Sequence, residues 1–501
     1  MINEHNEAVE NYPQRTVGWM SRSLGHLQRF SSRQRRPSGP SRMKVVERSA
    51  TRTQCLIIGA GHNGLSVAAA LRKRGIEPIL LEQHDRVGDQ WRERYERLHL
   101  HHITDVMHLP GVPYPAHYPR YLSRLDMADY MEAYARLQDL DVRCRHKVTH
   151  LGKNANGQWE ATVERLGDPT PLRFTADQVV LAGGTTGVTP RAPQLKGWEE
   201  WRGRVLHSHE YRSAEGMKGK RVLIVGAGNS GIEICGDLHD NGAIPSMLIR
   251  AANSWVTREA YAIYHRLLQF GGPILKYVPF TWLLAPFFIF GVDAYCKFDV
   301  KRRYGDLSSK GIRSLPMPAM IEMVKSNGTR PPTYIDGTWG DVGVSIFELI
   351  RDDKLPVYTA EISHLEPGTN TVVFQDGQRA EFDVVLLCTG FEPILEHYAS
   401  FLDESISAKL NEEGVFRFLE PMKEIPDLWI TIGGIVSARY GQDTLGERIA
   451  AKIQGRGASR RILSPAVSFF FVGIEPIQIE IPRRTILINA TATLWLLTAM
   501  L

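Results

Sequence analysis

The chain has 501 residues, 43% of them apolar and 23% charged, with a net charge of +5. That length exceeds the roughly 250–300 residues at which one hydrophobic core stops growing, and the composition is that of globular domains, not of a disordered chain. Much of the positive balance sits in a basic leader, residues 1–51, where Arg15, Arg22, Arg29, Arg33, Arg35, Arg36 and Arg42 outweigh the glutamates, so charge is no argument for nucleic acid.

The leader has no apolar run of the secretory kind and carries a Ser/Arg/Pro/Gly cluster from Ser31 to Arg42. It reads as a flexible segment; a transit peptide is the alternative, weakened by Glu4, Glu7, Glu10 and Glu47. Cys55, Cys144, Cys235, Cys296 and Cys388 are scattered and never form C-x-x-C, the usage of a reduced, intracellular protein.

The first ordered signal is an apolar run from Gln54 to Ile58, closed by G-A-G-H-N-G from Gly59 to Gly64 and followed by a helical pattern through Leu65, Ala69 and Leu71. A second strand, Pro78 to Leu81, ends on Glu82. Strand, tight turn, helix and acid-ended strand make the dinucleotide fingerprint. Gly59 permits the turn, Gly61 lets the backbone reach a pyrophosphate seated on the helix N-terminus, and Gly64 lets helix pack on strand. Glu82 accepts from a ribose with a free 2′-hydroxyl, which FAD and NAD both possess.

The arrangement returns between Lys220 and Arg250: strand R-V-L-I-V, loop G-A-G-N-S-G, a helix to about Asn241, and strand S-M-L-I-R. In this loop Gly226, Gly228 and Gly231 repeat the glycine roles, with Asn229 and Ser230 at the helix start. One G-x-G-x-x-G occurs by chance; two, each between a strand and a helix, do not. The second copy ends on Arg250, whose guanidinium suits a 2′-phosphate, so NADPH is expected there and FAD in the first fold.

Three further apolar runs end on small residues: Gln178 to Thr185, Asp383 to Phe391 (with Thr389 and Gly390) and Leu428 to Gly434. Each reads as a buried parallel strand whose end opens to a ligand, although a plain tight turn would look the same. Two dinucleotides imply hydride transfer from nicotinamide to flavin. A disulfide reductase needs a reactive cysteine pair, which is lacking, so oxygen is the expected acceptor.

Between the two folds, W-R-G-R-V-L-H-S-H-E-Y-R runs from Trp201 to Arg212. It resembles the fingerprint of class B flavoprotein monooxygenases, with Trp201, Gly203, His207 and Tyr211 at the matching positions. Tyr211 followed by Arg212 is similar to the flavin-containing and YUCCA-type branches more than to the Baeyer–Villiger branch. G-D-Q-W from Gly88, containing Gln90 and Trp91, resembles the family's flavin-covering segment, and C-T-G-F from Cys388 resembles its A-T-G-Y motif.

The resemblance implies monooxygenation of a small organic molecule, at nitrogen or sulfur, through a flavin hydroperoxide. Baeyer–Villiger chemistry, or an NADPH oxidase or reductase without oxygen insertion, is the alternative. It also implies roles for His101, hydrogen-bonding the flavin or shuttling a proton, and for His207 and Tyr211, coupling the domains. A metal site at His99, His101 and His102 lacks acidic or cysteine partners in a familiar spacing, so none is expected.

The expected fold is α/β, two Rossmann-like domains with the NADPH domain inserted into the FAD domain. FAD-binding segments are placed at residues 52–205 and 340–457, the NADPH domain at 206–339 and an atypical tail at 458–501. The uncharged run from Tyr277 to Val292 is short and holds Pro279 and Pro286, which suits a lid more than a membrane span. The run from Thr485 to Leu501 approaches spanning length. The location expected is cytoplasmic, with the tail as an alternative route to membrane association.

Overall fold

A computed structural model describes residues 50–184, 189–260, 262–263, 281–314, 333–335, 345–413, 421–431 and 435–456. The expectations for the leader before residue 50 and for the tail lie outside them.

The first sheet contains β1 (Thr51–Ile58), β2 (Ile79–Leu81), β3 (Asp141–Arg143), β4 (His146–Lys153), β5 (Trp159–Arg165) and β6 (Asp168–Leu181), in the order β3-β2-β1-β6-β5-β4. The strand Leu428–Ile430 pairs parallel to β6. Side chains alternate across β1: Cys55 and Ile57 join the core beneath helix α1 (His62–Arg72), while Leu56 joins the opposite core with Val179 and Leu181. Such two-sided burial is what a near-continuous apolar strand requires. Register decides where the strands end together: Ile58 lies beside Leu81 and Leu181, and Leu181 beside Ile430. Gly59, Glu82 and Ala182 therefore follow at one edge.

The second sheet is wholly parallel. Its strands are β7 (Arg204–His207), β8 (Arg221–Val225), β9 (Ile244–Leu248), Val357–Tyr358 and Val384–Leu387. Val225 is level with Leu248 and Leu387, and Leu387 with His207, so Gly226, Cys388 and Ser208 share a second edge. Val384–Leu387, expected in the second FAD segment, instead pairs between β8 and β7, and Val357–Tyr358 extends the same sheet beyond β9. A run buried on both faces fits any parallel sheet, so its pattern does not state which one it joins.

Short helices α2 (Asp89–Arg92) and α3 (Thr104–Met107) precede α4 (Arg124–Leu137), which opens on a Ser123–Asp126 capping box. The Gly88 turn before α2 has φ +90°, and a Cβ there would meet the Ala128 carbonyl oxygen at 2.6 Å. In the second fold, α5 spans Asn229–Asp240. The helix Ile435–Ile453 crosses α1 so closely that a Cβ on Gly446 would lie 2.4 Å from the Ala70 Cβ. Thr281–Tyr304 forms one helix running through Pro286 and ending on Lys301, Arg302 and Arg303. Among the described residues, no helix is long and apolar enough to cross a membrane.

Candidate active site

Both glycine loops end on a helix whose first turn is left open. α1 and α5 start from Gly61 and Gly228, each with extended backbone, no side-chain cap and no acid in the first turn. The uncapped N-terminus and the helix dipole of each therefore suit an anion. The glycines divide by function. A Cβ at Gly64 would lie 2.1 Å from the Gly59 carbonyl oxygen, and one at Gly231 2.2 Å from that of Gly226, so these two serve helix-to-strand packing. At Gly228 nothing lies within 4 Å, and at Gly61 only the Gln90 side chain does. That open space is where a pyrophosphate would pass.

The two loops open into one cleft of about 1330 Å³. It is lined by Gly59, Gly61, Glu82, Gln90 and Trp91 from the first fold and by Gly226, Gly228, Asn229, Ser230, Gly231 and Arg250 from the second, with Thr389 and Gly390 between.

Glu82 is buried, and its Oε2 accepts from the Ala60 backbone N–H at 2.9 Å. Oε1 accepts from the His84 backbone at 3.0 Å and lies 2.6 Å from His84 Nδ1. Burial works to raise its pKa, but the bonds from His84 and Ala60 prevail and hold the carboxyl below its ordinary value. The ionised group keeps lone pairs for a ribose hydroxyl. Arg250, at the end of β9, carries an ion pair with Glu361 at 2.6 Å.

His101, His207 and Tyr211 are each held by a partner from another segment. His101 Nε2 lies 3.0 Å from the buried Glu233 on α5. Tyr211 donates to Asp237 of the same helix at 2.6 Å, and burial, reinforced by that carboxylate, pushes its phenol upward. The backbone N–H of His209 donates to His207 Nδ1 at 3.0 Å, which places the ring proton on Nε2, 3.0 Å from the Gly390 carbonyl oxygen. Burial lowers the His207 pKa. The imidazole thus clamps the C-T-G-F turn at the strand end.

Trp201 and Gly203 are a packing pair: a Cβ on Gly203 would meet the indole at 2.3 Å. Trp201 sits in the core with Leu223, Leu365 and Phe374.

Three features of the cleft were not visible in sequence. Tyr95 lines it, bonds Glu233 and Ser230, and so joins the strap after Trp91 to the second loop. Glu361 reaches Arg250 from a distant segment. Arg94 lines it with its guanidinium carbon 5.7 Å from the Phe391 ring centroid and its Nε donating to the Gln90 carbonyl at 3.3 Å. No ion pair to Arg94 forms among the described residues; burial lowers its pKa and Arg212 adds to that, against the opposing pull of Tyr95 and the nearby Glu93 carboxylate. Motif spacing carries no signal for any of the three, because each acts across the two folds.

A family model described as flavin-binding monooxygenase-like matches residues 52–265. The indole-3-pyruvate monooxygenase YUCCA1 of Oryza sativa subsp. japonica is 32% identical over 338 residues, 67% of this chain and 76% of that protein. The probable indole-3-pyruvate monooxygenase YUCCA3 of Arabidopsis thaliana is 30% identical, over 67% and 72%. The chain belongs to the flavin-binding monooxygenase-like family.

Solved structures agree on the fold. A flavin-containing monooxygenase from Stenotrophomonas maltophilia matches with a TM-score of 0.55 at 18% identity, over 81% of this chain and 99% of that one. Cyclohexanone monooxygenase with bound epsilon-caprolactone matches with a TM-score of 0.60 at 15% identity, over 81% and 89%. As a family member the protein is a flavin-dependent monooxygenase that uses FAD and NADPH and acts on small molecules with O2. The two open glycine cradles fit that pair of dinucleotides.

Proposed function

We propose that FAD occupies the Gly59–Gly64 cradle, with Glu82 on its ribose and Gln90 and Trp91 at its side, and that NADPH occupies the Gly226–Gly231 cradle with Arg250 on its 2′-phosphate. The observation that carries this reading is that both cradles open into one cleft, so the two cofactors are held within reach of each other. When bound, the flavin takes electrons from the nicotinamide and activates oxygen, one atom of which goes to substrate. The chain's own work is positioning: Gly61 and Gly228 admit the pyrophosphates, and His207 fixes the Gly390 turn between the sites. His101, Tyr95 and Tyr211 hold the strap after Trp91 and the linker against α5.

In this reading the FAD unit comprises β1 to β6 with the Leu428–Ile430 strand and the helix that follows it. The NADPH unit takes β7 to β9 together with the strands at 357–387. A cytoplasmic location, with membrane association through the tail as the alternative, belongs to the same proposal.

The substrate class follows from Arg94. A partly dehydrated guanidinium on the cleft wall, with no ion pair to it among the described residues, favours an anion there, and the two helix N-termini already serve the pyrophosphates. The relatives above carry the names indole-3-pyruvate monooxygenase and probable indole-3-pyruvate monooxygenase, indole-3-pyruvate being a carboxylate, and a small organic acid is proposed here. Turnover under labelled oxygen tests the reading: label in the product of an acid substrate supports it, and hydrogen peroxide with unlabelled product overturns it. Arg94→Gln is expected to raise KM for the acid more than for its methyl ester.

A further inference from the structure

The Arg250 guanidinium is already engaged. Its Nη1 lies 2.6 Å from Glu361 Oε1, and both side chains line the cleft where β9 ends. Glu361 is held there by its own strand neighbour: the Gln375 backbone N–H donates to the Glu361 carbonyl at 2.8 Å, and Gln375 Nε2 reaches Oε2 at 3.5 Å. Arg313 donates to the Arg250 carbonyl at 2.6 Å and fixes the backbone from the other side. The ion pair is well exposed, with side chains 60% and 49% accessible, so it contributes little to folding. Its consequence lies in what Arg250 can bind.

We propose that Glu361 sets the 2′ selectivity of the second dinucleotide site. This rests on the reading of Arg250 as the 2′-phosphate ligand. A carboxylate and a phosphate are both acceptors only, so they compete for the guanidinium and repel each other, whereas a 2′-hydroxyl can donate to the carboxylate. Glu361 therefore weakens NADPH relative to what Arg250 alone would hold, and gives NADH a foothold. Selectivity is the difference between these two affinities, and it is written by a residue 111 positions beyond the arginine it opposes.

Glu361→Gln keeps the shape and removes the charge. On the FAD-loaded enzyme, dissociation constants for NADP⁺, NAD⁺, 2′,5′-ADP and 5′-ADP are measured by titration calorimetry at low and high salt. The variant is expected to bind NADP⁺ and 2′,5′-ADP about fivefold tighter and NAD⁺ about threefold weaker, with the phosphate effect shrinking in salt. Shifts of both dinucleotides in the same direction, or no shift, overturn the proposal. Arg250→Ala separates the two levels. If it weakens NADP⁺ but not NAD⁺, the Arg250 reading stands and Glu361→Gln alone decides. Equal effects on both dinucleotides overturn the Arg250 reading and this proposal together.

Discussion

Glu233, in the second turn of α5, places Oε1 3.0 Å from His101 Nε2 while its Oε2 accepts from the Tyr95 hydroxyl. One buried carboxylate from the second fold thus holds two residues of the strap that follows the first. Arg97 of the same strap pairs with Asp240 at 2.6 Å and approaches Asp237 at 3.8 Å, so the inward face of α5 is an acidic seat for the strap. A buried charge of this kind is stabilising only while its partners remain. Glu233→Ala is expected to lower unfolding free energy by ~3 kcal/mol, and Tyr95→Phe by ~1–2 kcal/mol. Urea titration followed by flavin and tryptophan fluorescence measures both; values within error of wild type would remove the linking role.

The glycines make a paired test. Gly61 and Gly228 have φ of −72° and −79°, which alanine adopts freely, and their neighbourhoods admit a methyl group. Gly61→Ala and Gly228→Ala should therefore melt like wild type yet lose about tenfold or more in affinity for FAD and NADP⁺ respectively. Gly64→Ala and Gly231→Ala must push aside a backbone carbonyl at 2.1 and 2.2 Å and should lose stability by about 2 kcal/mol or more before any effect on binding can be read. Melting temperature and ligand titration, run together, separate the two classes.

Acid sensitivity follows from the histidines. Burial lowers the pKa of His99, His207, His209 and His397 in the folded state, so the unfolded chain binds more protons between those lowered values and about 6.5. Stability then rises with pH through that window and falls on acidification. His84 opposes the trend: its bond to Glu82 raises its pKa, so its contribution is full below the unfolded value and fades as pH rises through the folded one. His207→Gln should reduce the loss in melting temperature between pH 8 and pH 5.5; an unchanged slope would show that this ring does not contribute.

The fingerprint glycine is predicted to matter through packing. Gly203→Ala drives a methyl into the Trp201 indole and should cost about 1–3 kcal/mol in denaturant unfolding, with Trp201→Phe in the same chain restoring part of it by making room. A stable Gly203→Ala with lost activity would instead give this glycine a direct role at the cofactors.

The sequence alone determined the local chemistry. Two glycine loops, Glu82 and Arg250 are legible because a turn, a cradle and a strand end are built by residues close together in the chain, and the fixed geometry of strand, turn and helix converts spacing into position. The family was legible for the same reason, through Trp201 to Tyr211 and the Cys388 turn. Tertiary structure decided everything that depends on which segments meet. It moved Val384–Leu387 into the second sheet, since an apolar run records burial and not its neighbours. It tied His101, His207 and Tyr211 to Glu233, Gly390 and Asp237, partners from distant segments. And it set Glu361 against Arg250 and brought Arg94 to the Phe391 ring in the cleft, relations across distance that no spacing encodes.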